Sequence, residues 1–361
     1  MVELAELFQA FGAEYLSKFQ DRMLPSHIKV MQSILRCRTP SLGGQVYQCP
    51  KCDKQDYSYH SCNNRHCPKC GGDKIGQWIK KQFDLLLPTP YFFVTFTLPE
   101  ELRFLIRANQ KFFYSVFFTT SAAALKRLAL DKRFVGGQIG FLGIIQTWAR
   151  NLIFHPHIHY IVPAAALSAD RKRYIKIKNS RFLVHVKPLS RLFKTLFRQA
   201  IENTAFYHQI PAGVWQKEWV VHVEAAGYGR EIIKYIAPYV YRVALSNHSI
   251  KKIDGRNVTF TYEDSAAKKS VSCTVDVLEF MRRFLQHTLP DGFMKVRYFG
   301  IMGANTRKEW LLLKQLLFRM LSRKNQNRFL RIDFKQKQTR KPCCRKCGTE
   351  LFLIGNLPRA P

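Results

Sequence analysis

The stretch Leu152–Val162, LIFHPHIHYIV, constrains the fold more than any other part of the chain. Its apolar run suits a buried strand, and on a strand successive side chains point to opposite faces. His155, His157 and His159 then share one face, while Ile158 and Tyr160 take the other. Three imidazoles on one side of an otherwise apolar strand are costly to bury without partners. A lone histidine here would read as a satisfied core residue; three in alternation read as metal ligands.

The metal is less determined than the ligands. Imidazole suits zinc, yet a histidine pair with open positions can also hold Mg2+ or Mn2+ against a phosphate. The chain has no HExxH, which argues against a zinc protease. A nucleophile is needed, and KYIAPYVYR at 234–242 supplies candidates. Tyr235 and Tyr239 are four apart and share one side of a helix, Tyr241 points away, and Pro238 kinks it. Against this, Ile232, Ile236 and Val243 form an apolar stripe that includes Tyr239, so a core aromatic is the bland alternative. Taken with the histidines, the pattern suits a metal-polarised phosphate attacked by a tyrosine hydroxyl, with Lys234 or Arg242 steadying the developing charge.

The charge balance names the partner class. Lys and Arg number 58 against 25 Asp and Glu, a formal +33. Such an excess repels itself, so a polyanion is the reason to carry it. Nucleic acid is preferred to a membrane surface, because phosphate neutralisation releases counterions and no run of 18 apolar residues is present. The opening MVELAELFQAFG is acidic and lacks a signal-peptide core, so a cytoplasmic protein is expected. In a reducing compartment, ten cysteines point to metal rather than disulfides.

Cys49, Cys52, Cys67 and Cys70 have the spacing C-x2-C-x14-C-x2-C, which predicts a single structural Zn2+ held by those four thiolates. His60, Cys62, His66 and Cys37 are spare ligands that could replace one of them or build a second site. Asn63, Arg65, His66, Lys69, Lys74 and Lys80 give the module a basic character suited to holding DNA, with a purely structural zinc knuckle as the alternative. Cys344 and Cys347 form half of such a site and read as an exposed pair without a second half. The segment from Arg323 to Lys346 holds ten Lys or Arg and one Asp, and reads as a solvated tail that adds phosphate contacts.

Hydrophobic periodicity and punctuation predict helices over residues 2–36, 73–87, 99–130, 188–206, 230–243, 277–287 and 305–321. Strands are predicted over 91–97, 136–148, 152–163, 215–224 and 295–299, with a hairpin at 258–262 and 271–275. Strands and helices in this order give an α+β fold.

Several segments together resemble the HUH endonuclease superfamily, and within it bacterial rolling-circle transposases of the insertion sequence ninety-one family. They are CRTPSLGG at 37–44, NNRHCPKC at 63–70, FTLP at 96–99, QTWARNLIFHPHIHYIVP at 146–163, KYIAPYVYRVALSNH at 234–248 and RRFLQHTLPDGFMKVRYFG at 282–300. The resemblance implies an HUH domain with a mostly antiparallel sheet flanked by helices, the histidine strand central and the tyrosine helix beside it. A helical and zinc-binding N-terminal region precedes it. The divisions would be 1–45 helical, 46–75 zinc-binding, 88–304 catalytic, and 305–361 a helix with a basic tail.

The resemblance also implies His157 and His159 as ligands of Mg2+ or Mn2+; proximity in sequence alone makes His155 and Gln146 candidates for a third. Tyr235 and Tyr239 become paired nucleophiles that nick single-stranded DNA at element ends, leaving a 5′-phosphotyrosine and a free 3′-hydroxyl. Host replication proteins are candidate partners. The chain departs from the expected pattern at Pro163-Ala-Ala-Ala-Leu167, where glycines belong. A replication initiator or relaxase would share the chemistry, and a non-catalytic zinc protein that binds nucleic acid is the rival from another class.

Overall fold

A computed structural model describes residues 2–360 apart from 74, 150, 178–181, 229–231, 234–236, 238–239, 241–243, 265–268 and 322–341. Its strands are β1 (Gly44–Gln48), β2 (Gln55–Tyr59), β3 (Pro90–Thr97), β4 (Gly140–Trp148), β5 (Phe154–Pro163), β6 (Ala165–Leu167), β7 (Tyr174–Lys176), β8 (Val221–Tyr228), β9 (Ile250–Asp254), β10 (Asn257–Asp264), β11 (Lys269–Asp276), β12 (Val296–Gly300) and β13 (Phe352–Leu357). The main helices are α1 (Leu4–Phe19), α2 (Pro25–Arg36), α3 (Ile75–Leu85), α4 (Arg103–Ala108), α5 (Gln110–Leu130), α6 (Val186–Ile201), α7 (Val277–Leu285) and α8 (Arg307–Arg319).

The central sheet has the order β12-β4-β5-β3-β8, with antiparallel neighbours throughout, so the histidine strand β5 lies in its middle. This is the α+β architecture expected of the sequence. Alternation along β5 sorts its side chains. Phe154, Ile158, Tyr160 and Val162 enter a core with α5 and α6, through Phe113, Phe117, Phe193 and Phe197. Each such aromatic, fully withdrawn from water, contributes roughly 2–3 kcal/mol. Phe96 meets Tyr160 and Phe193 edge-on, at 5.7 and 5.0 Å between ring centroids. Beneath them β4 needs a glycine: a Cβ on Gly143 would stand 2.5 Å from Tyr160 Cε1.

The opposite face carries His155, His157 and His159, then Ile161. With Leu142 and Ile144 of β4, Ile161 joins a second core that includes Phe83 of α3, Trp310 and Leu313 of α8, and Ile232 and Ile233. The alanines after Pro163 are buried; Ala165–Leu167 pair with Tyr174–Lys176 as a two-stranded sheet. They fill core space that side-chain-free residues would leave empty.

A third core joins α1, α2 and α7 to the sheet β11-β10-β9. A fourth, smaller unit is the sheet β13-β1-β2, in which a strand from the C-terminal end of the chain pairs antiparallel with β1.

Three local expectations change. The long helix predicted after Pro99 is interrupted at Asn109, whose φ of −128° and ψ of 46° leave the helical region. The strand predicted over 215–224 begins at Val221, because Trp215 and Trp219 instead stack at 5.8 Å and Trp219 packs on Phe193 and Phe197. The predicted hairpin gains a third strand, β9, whose adjacent Lys251 and Lys252 break the period-2 alternation. Most of the predicted helix at 230–243 lies outside the described residues.

Candidate active site and metal centres

Register brings the site together across three strands. Thr95 of β3 and Ile144 of β4 flank His159; Thr97 and Gln146 flank His157. The two imidazoles stand side by side, 4.8 Å between centroids and nearly perpendicular.

A hydrogen bond fixes the tautomer of His157. His157 Nδ1 is 2.7 Å from the carbonyl oxygen of His155, so it carries the proton and donates. His157 Nε2 is then a bare lone pair, and 3.0 Å away it meets the amide oxygen Oε1 of buried Gln146, also an acceptor. His159 Nδ1 bonds Thr95 Oγ1 at 3.0 Å. Burial, reinforced by the neighbouring His159, depresses His157 to about 3, and burial lowers His159 to about 4. Both rings are therefore neutral near pH 7, the form that binds a metal.

His155 differs. The Arg103 guanidinium donates to its Nδ1 at 3.2 Å, occupying that lone pair and setting a positive charge beside the ring. Burial first, then this charge, lowers its pKa.

Lys234, Tyr235 and Tyr239 lie outside the described residues, as do Tyr241 and Arg242. Their described neighbours Ile232 and Ile233 are buried against the core that holds Leu142, Ile144 and Ile161. By strand parity those three residues share a face with His157 and His159. Val240 borders a small cleft with Trp148, His287 and Lys295.

The cysteines divide differently from the single tetrahedron predicted. Cys67 and Cys70 gather with Cys37 and Cys62, all four sulfurs within 4.8 Å of one another. Cys49 and Cys52 gather instead with Cys344 and Cys347, again within 4.8 Å. The cause is β2: it pairs with β1 and carries the chain away from the Cys49–Cys52 turn before Cys62 is reached. Of the spare ligands foreseen in the sequence, Cys37 and Cys62 are used, while His60 and His66 belong to neither cluster. Cys344 and Cys347 are not an exposed pair without a second half; Cys344 is buried. The predicted solvated tail therefore stops short of these residues, and its part at 323–341 lies outside the described residues.

The basic residues of the first cluster serve docking. Arg65 donates to the Phe293 carbonyl at 2.6 Å, His66 Nε2 accepts from the Leu289 amide at 3.2 Å, and Lys69 pairs with Glu3 at 2.7 Å. Lys74 lies outside the described residues. The 286–293 segment reaches the histidine strand in turn: Gln286 donates to the Leu152 carbonyl, and His287 bonds both Thr147 Oγ1 and that carbonyl. The cysteine module is thus coupled to the loop entering β5, which spacing in the sequence did not reveal.

Comparison with known proteins places this arrangement. Residues 140–309 match a family described as a putative transposase, and residues 7–98 match a transposase zinc-binding domain found in the insertion sequence ninety-one group. A putative transposase, y4qJ, from Sinorhizobium fredii is 34% identical, over 86% of this chain and 82% of that protein. The chain belongs to the transposases of the insertion sequence ninety-one family. A second relative of this transposase is the transposase for insertion sequence element IS801 of Pseudomonas savastanoi pv. phaseolicola, 26% identical over 79% of this chain and 72% of that one. No solved structure matches the chain.

As a family transposase it is a DNA-cleaving and strand-transferring enzyme, and DNA is the polyanion its +33 charge called for. Its zinc-binding domain and cysteine clusters account for zinc as a bound metal. Among the described residues no helix is long and apolar enough to cross a membrane.

Proposed function

We propose that this transposase nicks and rejoins single-stranded DNA at element ends through a 5′-phosphotyrosine, with Tyr235 and Tyr239 as nucleophiles. One observation carries the reading: His157 Nε2 and Gln146 Oε1, two buried acceptors, face each other at 3.0 Å. Two lone pairs so placed repel; a cation between them, or rotation of the amide to present Nε2–H, removes the repulsion. An octahedral cation with oxygen and nitrogen ligands at about 2.1 Å sets adjacent ligands about 3 Å apart. His157, His159 and Gln146 would therefore hold Mg2+ or Mn2+, with Gln146 preferred to His155 because Arg103 occupies the latter. When bound, such an ion supplies Lewis acidity to a phosphate oxygen.

The remaining steps belong to the chain and its substrate. A tyrosine oxygen attacks phosphorus, forming a P–O bond to the phenol as the P–O3′ bond breaks. The phenolic proton leaves, and the departing 3′-oxygen becomes a hydroxyl. Attack by a 3′-hydroxyl on the phosphotyrosine reverses the exchange, so strands are rejoined without ATP. Lys234 is placed in sequence to steady the phosphate oxygens. Burial of Ile232 and Ile233 against the face bearing the histidines supports bringing this segment to the metal.

The test is covalent capture. Labelled single strands from the element ends are incubated with Mg2+ or Mn2+ and the wild type, Tyr235→Phe, Tyr239→Phe or the double variant. A metal-dependent, SDS-resistant adduct absent from the double variant is expected. An adduct that persists in the double variant would remove these tyrosines from the mechanism.

A further inference from the structure

The family's zinc-binding domain matches residues 7–98, and the cluster of Cys37, Cys62, Cys67 and Cys70 falls within that span. Cys344 and Cys347 fall outside both matched ranges. Their surroundings nevertheless repeat those of Cys49 and Cys52 in detail.

In each turn the N–H after the second cysteine bonds the carbonyl of the first: Asp53 to Cys49 at 3.0 Å, Gly348 to Cys344 at 2.8 Å. The N–H of the first cysteine bonds a carbonyl five residues on: Cys49 to Lys54 at 3.0 Å, Cys344 to Thr349 at 2.8 Å. The residue after the second cysteine is left-handed in both, with φ of 57° at Asp53 and 73° at Gly348. Each turn leads into a strand, β2 or β13, and these strands pair with the two edges of β1. Two matching knuckles thus face each other, each presenting two sulfurs.

The sulfur spacings fit a metal rather than a covalent bond. Cys49 and Cys347 are 3.4 Å apart, Cys52 and Cys344 3.6 Å, and Cys52 and Cys347 3.8 Å. A disulfide requires about 2.05 Å. Four thiolates on a tetrahedron with Zn–S bonds of about 2.3 Å lie about 3.8 Å from one another.

We propose that Cys49, Cys52, Cys344 and Cys347 bind a second, all-thiolate Zn2+ that clasps the C-terminal end of the chain to its N-terminal module. The clasp lets β13 complete the sheet on β1, although more than 300 residues separate the paired strands, from Gln48↔Phe352 to Gly44↔Leu357. It also sets the boundary of the basic segment. Residues 322–341, with eight Lys or Arg, begin just beyond α8 and end three residues before Cys344.

Native mass spectrometry of the full-length chain tests the site. Two zinc ions per chain are expected for wild type and one for Cys344→Ser/Cys347→Ser. Cys37→Ser should lose the other ion and keep this one. One zinc in the wild type, or an unchanged count in the double variant, would overturn the proposal. A second reading needs no variant: Cys344 and Cys347 in the wild type should resist N-ethylmaleimide until a chelator is added. Their alkylation at the rate of an exposed cysteine in the zinc-loaded protein would overturn it equally.

Discussion

Replacing Gln146 by leucine separates a ligand from a packing residue. Gln146 is buried, its Oε1 faces the His157 lone pair at 3.0 Å, and its Nε2 is buried without a hydrogen-bond partner. Without metal the amide can gain at most one ordinary hydrogen bond there, by turning its Nε2–H toward His157 Nε2. Leucine keeps the bulk and removes both polar atoms, so metal-free stability should change by less than about 1 kcal/mol, the net worth of an ordinary hydrogen bond. With metal the balance differs. Losing one of three protein ligands should weaken Mn2+ binding about 10- to 100-fold, a range already reached by changes to groups that only support a ligand. That is roughly 1.4–2.7 kcal/mol. Gln146→Glu, which keeps an oxygen and adds charge, should bind Mn2+ at least as well as wild type. The assay is Mn2+ titration followed by the electron paramagnetic resonance of free ion, with urea unfolding in chelator as the stability control. If the leucine variant kept wild-type affinity while metal-free stability fell by more than about 2 kcal/mol, Gln146 would be a hydrogen-bonded core residue and the ligand assignment would fail.

Two further predictions concern stability. His27 and His287 are held by burial at about 4 and about 3, so the folded chain keeps them neutral while the unfolded chain protonates them below about 6.5. The unfolded state then binds more protons, and stability must fall as pH drops through this window. At pH 5.5 each contributes a loss of about 1.4 kcal/mol, so these two alone lower stability by about 3 kcal/mol from pH 7.5, and the other buried histidines, His157 and His159 among them, add losses of the same sign; a flat urea midpoint would contradict the burial argument. Gly143→Ala places a Cβ 2.5 Å from Tyr160, whose hydroxyl is tied to Ser121 at 2.7 Å, so the ring cannot swing away freely. A cost of about 1–3 kcal/mol in urea unfolding is expected, and a loss below about 0.5 would mean that the sheet relaxes there.

The sequence by itself determined the α+β class and the histidine strand with its shared imidazole face, because period-2 alternation is set by the local backbone and survives any packing. Cys67–Cys70 and Cys49–Cys52 were equally legible as metal-binding turns, since two thiolates two apart close on an ion from one short loop. Which turns share an ion was not legible. The contiguous C-x2-C-x14-C-x2-C spacing suggested one site, whereas β2 pairing with β1 separates the two halves and assigns each to different partners. Cys344 and Cys347 were read as unpartnered for the same reason: their mates lie about 290 residues earlier, and only the antiparallel pairing of β13 with β1 brings them together. For the proposed third ligand, the preference for Gln146 over His155 likewise rests on tertiary structure. Both are near His157 in sequence, but register puts Gln146 directly beside it, while Arg103, from a different helix, occupies His155. Local periodicity fixes which residue types can act, and long-range pairing decides which of them meet.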